Sequence, residues 1–418
     1  MPASASGPDL PPAPSGHLPG EPSAGVPVGS SPGFADADAD AGTLPSEQLA
    51  GAALLETEPT LWAVVLAGGI GSRFWPLSSP ERPKQLLALV GDRPLIADTV
   101  ARLQPLVPAE RVLVVTSRDI AEPLRAAIPE VPEGNMLVEP HPMGTAAALA
   151  WGAQEVSRRA GPDTVFCTLH ADLAVGQPEE FRRVVRGAAV IAADEDALVV
   201  VGARPTRAET GFGYLQPGQR LDATQGLEQN GACRVARYVE KPAEQLAQAL
   251  VGDGALWNTG TFVWRARTVL AELAAVTPEI APGLDALALG DMEAFAALIT
   301  SVSLDRGLLE RTRRAVVLPA DLMWDDVGTW ASLRRARELD DTGNGAVGPA
   351  HFVDCSGNVV HTEAGTVVMY GVDSLVVVVL DGLTFVTTLE RAQDLRGLLD
   401  RLPDDVRLRA RRAPDAEG

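Results

Sequence analysis

Leu61 to Leu87 reads LWAVVLAGGIGSRFWPLSSPERPKQLL. The apolar run Ala63-Val64-Val65-Leu66 has the make-up of a parallel strand buried on both faces. It stops abruptly at Ala67-Gly68-Gly69-Ile70-Gly71-Ser72-Arg73. Three glycines in four positions allow φ > 0 and remove side chains, so backbone N–H groups can converge on an anion. Arg73 and Lys84 add a guanidinium fork and a point charge beside this loop, a combination that suits polyphosphate. Two common phosphate motifs are excluded. Phe74 stands where G-x-G-x-x-G needs its third glycine, and G-x-x-x-x-G-K-[ST] is absent.

Outward from this stretch, apolar runs alternate with helical spacing. Strands are expected over 111–115, 135–138, 165–169 and 198–201, and helices over 94–106, 121–128, 144–159 and 179–193. That rhythm makes an α/β protein with a Rossmann-like, doubly wound, mostly parallel sheet and ligands at the carboxyl ends of its strands. Near Arg207 the rhythm changes. A strand over 234–239 follows, then helical segments over 268–289, 292–300 and 329–339. Beyond 343, short strands over 366–370, 375–380 and 384–388 recur between turn signals, as in a small all-β unit. The run over 375–380 is apolar throughout, so it must be buried on both faces or paired with another subunit. A helix over 390–402 closes the unit.

The chain has 418 residues and 46% hydrophobic content, enough for a large core and a smaller second unit. Its net charge of −20 argues against a nucleic-acid groove or attraction to an anionic membrane. An anionic substrate must therefore be held by local positive charge. Cys167, Cys233 and Cys355 show neither a disulfide framework nor zinc spacing, which favours a reducing cytoplasm. Residues 1–60 contain no Lys or Arg and are rich in Pro, Ala, Ser and Gly, with the acidic run Asp36-Ala37-Asp38-Ala39-Asp40. They fit neither a secretory signal nor a transit peptide and read as a disordered acidic tail. No segment has the ~18 uncharged apolar residues of a membrane span.

The string AGGIGSRFWPLS from Ala67, with Pro83-Lys84-Gln85 after it, resembles the signature of sugar-1-phosphate nucleotidyltransferases. Its Trp75 and Pro-Lys-Gln variant resembles the mannose-1-phosphate guanylyltransferase branch. Further boxes follow in the family's order. Glu139, Pro140, Thr145 and Ala146 match E-P-x-x-R-N-T-A, with Met143 and Gly144 where Arg and Asn are usual. Ala171 and Asp172 match the centre of P-A-D-H. Thr210-Gly211-Phe212-Gly213-Tyr214-Leu215, Glu240-Lys241-Pro242, Trp257-Asn258-Thr259-Gly260 and Trp324-Asp325-Asp326-Val327-Gly328-Thr329-Trp330 complete the set. The resemblance spans about 61–402.

It implies transfer of a guanylyl group from GTP to mannose 1-phosphate, with Mg²⁺. Arg73, Lys84, Asp172 and Asp326 would be catalytic, the two aspartates as metal ligands, since hard carboxylate oxygens suit Mg²⁺. Leu66, Ala67, Gly68, Gly69, Gly71, Arg73, Lys84, Glu139 and Thr145 would hold the nucleotide. Gly213, Glu240, Lys241 and Asn258 would hold the sugar phosphate. Asp325 falls at a variable position and is expected only in a supporting role. The implied organisation is a catalytic domain over 61–342, a β-helix-like unit with its closing helix over 343–402, and a charged flexible end over 403–418. The family's β unit often serves dimer contacts, which implies a homodimer or larger assembly. Two alternatives stay open: the same chemistry on glucose or heptose 1-phosphate, and a non-catalytic regulatory paralogue that binds nucleotide-sugar.

Overall fold

The computed structural model describes residues 60–69, 72–221 and 231–409. The expected N-terminal tail, up to residue 59, lies outside the described residues. So do Ile70, Gly71 and the last residues from 410.

The first strand, β1 (Trp62–Ala67), is buried along its whole length, as its composition demands. It is followed by β2 (Val112–Ser117), β3 (Met136–Glu139), β4 (Val165–His170), the short β5 (Ala174–Val175) and β6 (Leu198–Ala203). Then come β7 (Gly213–Arg220), β8 (Cys233–Glu240), β9 (Leu256–Arg265), β10 (Ala315–Ala320) and the short β11 (Trp324–Asp325). The main sheet runs β3-β2-β1-β4-β9-β6-β10-β8-β7. Pairings within β3-β2-β1-β4 are parallel, and so is β10 on β6. Between these parallel portions β9 inserts antiparallel to both β4 and β6. Periodicity alone does not reveal β9 as a strand, because Asn258, Thr259 and Gly260 interrupt its apolar run.

Alternation along β1 divides the core. Ala63, Val65 and Ala67 face one layer with Phe181, Val184 and Val185 of the helix Pro178–Asp194. Val64 and Leu66 face the other, with Ala146, Leu149 and Ala153 of the helix Thr145–Ala160. Helices on both faces leave the carboxyl ends of β1, β3 and β4 as the open edge, where a ligand can reach backbone groups.

The C-terminal strands are β12 (Gly345–Val347), β13 (Ala350–Val353), β14 (Val359–Thr362), β15 (Val367–Tyr370), β16 (Leu375–Leu380) and β17 (Leu383–Thr388). Parallel stacking of β12-β14-β16 and of β13-β15, with a parallel bridge from Ser356 to Asp373, makes a β-helix-like coil. Buried Asn344 and Asn358 hold its corners. Asn358 Nδ2 donates to Asn344 Oδ1 at 2.8 Å and to Val372 O at 2.9 Å, while its Oδ1 accepts from Leu375 N–H at 2.9 Å. The apolar run over 375–380 is satisfied within the chain. Val376 and Val378 face Phe74, Trp330 and Phe385, and Val377 faces Cys355, Val360 and Met369.

Three details differ from expectation. The helical segment expected over 268–289 is split into Ala266–Val276, the 3₁₀ turn Ala281–Gly283 and the short helix Leu284–Ala288. The helix expected over 390–402 is broken into a 3₁₀ turn, Arg391–Gln393, and the short helix Arg396–Leu399. A further helix, Asp404–Arg409, forms where a loose end was expected, because Pro403 can stop one helix and start the next. No helix among the described residues is long and apolar enough to cross a membrane.

Candidate active site

A cavity of about 310 Å³ opens beyond β1, β3 and β4, lined by Leu66, Ala67, Gly68, Gly69, Glu139, Thr145 and Asp172 among others. Gln85 also lines it and is fixed by donating from Nε2 to Ala67 O at 3.2 Å. Gly71 lies outside the described residues. Neither Gly68 nor Gly69 has a positive φ, contrary to the first reason given for these glycines. Both are exposed and line the cavity. A Cβ on Gly68 would point at Glu139 Oε2, 3.7 Å away, and one on Gly69 would stand in open space. Their use is to leave the cavity floor bare. Burial pushes the Glu139 carboxyl up from its ordinary range, against the Met143 N–H that donates to it and the charge of His141.

Met143 and Gly144 now have physical reasons. Met143 is buried in the core beneath the helix Thr145–Ala160. Gly144 adopts φ 90°, ψ 158°, a region essentially closed to other residues. A Cβ there would lie 2.7 Å from Ser301 Oγ and 2.8 Å from Val302 O. The following turn is tied to the same segment: Ala146 N–H donates to Val302 O at 3.3 Å, and Thr145 Oγ1 accepts from Leu304 N–H at 2.8 Å. Gly144→Asn is therefore expected to destabilise the fold by at least about 2 kcal/mol. An unchanged denaturation midpoint would show that this backbone relaxes freely.

Lys84 connects the two predicted metal-binding boxes. Its buried Nζ donates to Asp172 Oδ2 at 2.9 Å and to the backbone oxygen of Asp326 at 2.7 Å. Burial raises the Asp172 pKa, but Lys84 and His170 outweigh it, and the carboxyl ends below its usual value. Asp326 goes the other way. Burial, with Asp325 and Asp172 nearby, pushes it up to about 6 despite Lys84 and the N–H of Gly328. That N–H donates to Asp326 Oδ1 at 3.0 Å. Between them Val327 sits fully buried at φ 46°, an unusual conformation for a β-branched residue. Asp325 is structural, accepting from Val327 N–H at 3.1 Å and from Arg335 Nε at 3.0 Å. Arg73 is exposed and does not line the cavity.

The predicted sugar residues meet at the neighbouring edge. Register pairs Gly213 with Glu240, Tyr214 with Trp257, and Gly202 with Asn258. Lys241 Nζ donates to Glu240 Oε1 at 2.6 Å. Gly213 must be glycine, because a Cβ there would collide with Tyr238 Oη. Gly260, whose N–H donates to Asn258 Oδ1 at 3.0 Å, lies against His170 and so joins this cluster to the Asp172 loop. Trp257 is core, buried against Phe212 and Trp324.

The C-terminal coil braces these loops. Phe74 packs edge-on to Trp330 at 5.3 Å and Trp75 to Phe385 at 5.2 Å, so Trp75 serves packing against the coil. Arg82, two residues before Lys84, makes a two-pronged contact to Glu363 at 2.7 and 3.0 Å. Sequence reasoning missed two residues, Tyr238 and Asp305. Tyr238 is signalled by phase, two residues before Glu240 on one face of β8. Asp305 opens a π-helical turn, Asp305–Leu309, that has no sequence signal.

A glycine-floored cavity, a lysine between two aspartates and an adjoining polar cluster at strand ends define a nucleotidyltransferase. The nucleotidyl transferase family model matches residues 62–342. A mannose-1-phosphate guanylyltransferase, ManC of Salmonella typhimurium, is 36% identical over 371 residues, 85% of this chain and 75% of the relative. One from Escherichia coli K12 is 34% identical over 364 residues, covering 83% and 74%. A crystal structure from Thermus thermophilus, described as a mannose-1-phosphate geranyltransferase, matches with TM-score 0.73 at 32% identity. That match covers 82% of this chain and 99% of the other. The chain belongs to the mannose-1-phosphate guanylyltransferase family of nucleotidyl transferases.

Proposed function

We propose that the enzyme transfers a guanylyl group from GTP to mannose 1-phosphate. The observation that carries this is the Lys84 ammonium, held between the Asp172 carboxylate and the Asp326 carbonyl beside the glycine-floored cavity. A phosphate oxygen of mannose 1-phosphate attacks the α-phosphorus of GTP in line. The bond from that phosphorus to the bridging oxygen breaks, and its electron pair leaves with pyrophosphate. The nucleophile is already an anion, so no general base is required. Catalysis reduces to positioning and charge neutralisation.

Each residue then has a task. Backbone N–H groups of the glycine loop cradle the triphosphate, and Glu139 and Thr145 wall the nucleotide side. Two of the three Lys84 donors engage Asp172 and Asp326, leaving one for the reacting phosphates. Arg73, exposed and four residues beyond the cavity-lining Gly69, meets the departing pyrophosphate. Glu240, Asn258 and Gly213 orient the sugar, and Lys241 its phosphate. Asp172 and Asp326 fit Mg²⁺, because both supply hard carboxylate oxygens, Lys84 ties their two loops together, and burial, with Asp325 and Asp172 nearby, pushes Asp326 up to about 6. When bound there, the ion would neutralise charge on the two phosphorylated substrates.

Base choice is the testable edge of this reading. Buried Met143 and side-chain-free Gly144 offer no hydrogen-bonding side chain to a base. Discrimination then falls to the remaining polar wall, and one lost contact relaxes it by roughly 1–3 kcal/mol. GTP is expected to be preferred, with ATP or dTTP detectable as poor substrates. The experiment is kcat/KM for GTP, ATP, dTTP and UTP with mannose 1-phosphate and glucose 1-phosphate, read as pyrophosphate release. A better nucleotide than GTP sinks the guanylyl assignment, and a better sugar sinks the mannose one. The reading carries a cytoplasmic location, which the three free cysteines suit. It also carries self-association through the C-terminal coil, where Val353, Val368 and Tyr370 are exposed.

A further inference from the structure

Asp305 lies in none of the sequence boxes quoted above, yet it sits at the centre of the polar cluster. Its Oδ1 accepts from Tyr238 Oη at 2.7 Å and from Asn258 Nδ2 at 3.1 Å. Tyr238 Oη also lies 2.8 Å from Glu240 Oε2 and accepts from Asn258 Nδ2 at 3.0 Å. Asn258 Oδ1 takes the N–H of Gly260 at 3.0 Å. Both amide protons of Asn258 are thus spent within the protein, and its orientation is fixed. The phenol carries one proton for two carboxylate oxygens. Burial, with Asp305 and Glu240 beside it, pushes Tyr238 far above its ordinary range, so the phenol stays a donor. Whichever carboxylate takes that proton, the other keeps a donor, Asn258 Nδ2 on Asp305 or Lys241 Nζ on Glu240, and Asp305 Oδ2 is left as an acceptor for a hydroxyl from elsewhere. No hydrogen bond to Asp305 Oδ2 forms among the described residues, and the residue is only half-buried.

The backbone around Asp305 reaches both halves of the site. Val302 O and Leu304 N–H are bonded to Ala146 and Thr145 at the nucleotide wall, and Asp305 follows directly. The turn it opens is anchored by Thr277 Oγ1 donating to Gly307 O at 2.7 Å. A π-helical turn is a rare geometry that recurs at functional sites. This one points a carboxylate at the residues read as the sugar subsite, while the residues just before it, Val302 and Leu304, hold the nucleotide wall.

We infer that Asp305 is a sugar-binding, specificity-determining residue, accepting a ring hydroxyl while it holds Asn258 and shares Tyr238 with Glu240. The inference rests on the reading of this cluster as the sugar-phosphate subsite. Because Asp305 Oδ2 can only accept, it selects a hydroxyl by where that proton can point, which is how two epimers of a hexose are told apart.

The test is Asp305→Asn, with Asp305→Glu as a conservative companion, in steady-state assays with mannose 1-phosphate and its C2 epimer glucose 1-phosphate. Asparagine keeps the size and an acceptor but loses the charge. The expected result is a rise of about 10- to 100-fold in KM for the sugar phosphate. The KM for GTP should stay within about threefold of the parent, the epimer ratio of kcat/KM should shrink, and Asp305→Glu should recover part of the loss. An unchanged sugar-phosphate KM overturns the inference. So does a fall in kcat that follows a fall in melting temperature with both KM values unmoved, since that is a purely structural role. The parent assay is read separately. If the parent prefers another sugar 1-phosphate, the proposed function fails, while the variant-to-parent ratio measured on that substrate still decides the role of Asp305.

Discussion

Lys84→Met is expected to lower kcat by roughly 10²–10³-fold while the protein stays folded. Methionine preserves the buried stem and removes the ammonium. The loss falls on chemistry because Nζ is shared between Asp172 Oδ2 at 2.9 Å and Asp326 O at 2.7 Å, with its third donor free for phosphate. Stability should suffer little. The Asp172 side chain is 39% exposed, so water can solvate the charge that Lys84 leaves behind. Lys84→Arg should not rescue activity, because a planar fork cannot occupy the position of a point donor between a carboxylate and a carbonyl. Pyrophosphate release and a thermal melt measured on the same preparation decide the matter. If Lys84→Met keeps more than a tenth of parental kcat, Lys84 is a packing residue.

How far this site could be read beforehand depends on the kind of signal each residue carries. Lys84, Asp172 and Asp326 stand in strings whose order is itself informative, and β1 announces itself by an unbroken apolar run before the glycines. The strand β9 does not, because Asn258 and Gly260 are polar or side-chain-free where period-two alternation needs apolar residues. Local sequence cannot separate a glycine chosen for its φ from one chosen for bareness. Gly144 is the first kind, and Gly68 is the second. Asp305 was illegible because its position comes from a long-range meeting of the π-helical turn with β8 and β9. Trp75 misleads in the opposite sense. It is legible as part of a nucleotide box, but its ring is buried against Phe385 of the C-terminal coil.

That packing gives the coil a part in the chemistry. Phe74 and Trp75 from the glycine box and Val327 and Trp330 from the Asp326 box share one core with Val376, Val378 and Phe385. Arg82 and Glu363 add a contact near Lys84, but both are about a third exposed, so the pair itself contributes at most about 1 kcal/mol. Apolar burial carries the bracing. The loops bearing Lys84 and Asp326 are thus held by residues far away in sequence, and their geometry depends on the coil being folded.

The metal prediction follows from the same geometry. Asp172→Ala and Asp326→Ala are each expected to reduce kcat by at least ~10²-fold, and excess chelator should abolish parental activity. The two variants should differ in stability. Asp172 is held below the usual carboxylate range by Lys84, so removing it leaves the buried ammonium with only the Asp326 carbonyl and should destabilise the protein. Asp326 is pushed up to about 6, first by burial and then by Asp325 and Asp172. Removing that carboxyl relieves crowding and should leave stability unchanged or slightly raised in metal-free buffer. A residue kept where it is electrostatically disfavoured is the mark of a function that needs its charge. Melting temperatures with and without Mg²⁺, alongside kcat, separate the possibilities. Parental stabilisation by Mg²⁺ that disappears in both variants is the expected pattern. If both alanine variants turn over at the parental rate in excess chelator, the two carboxylates hold no metal, and Lys84 alone must neutralise the phosphates.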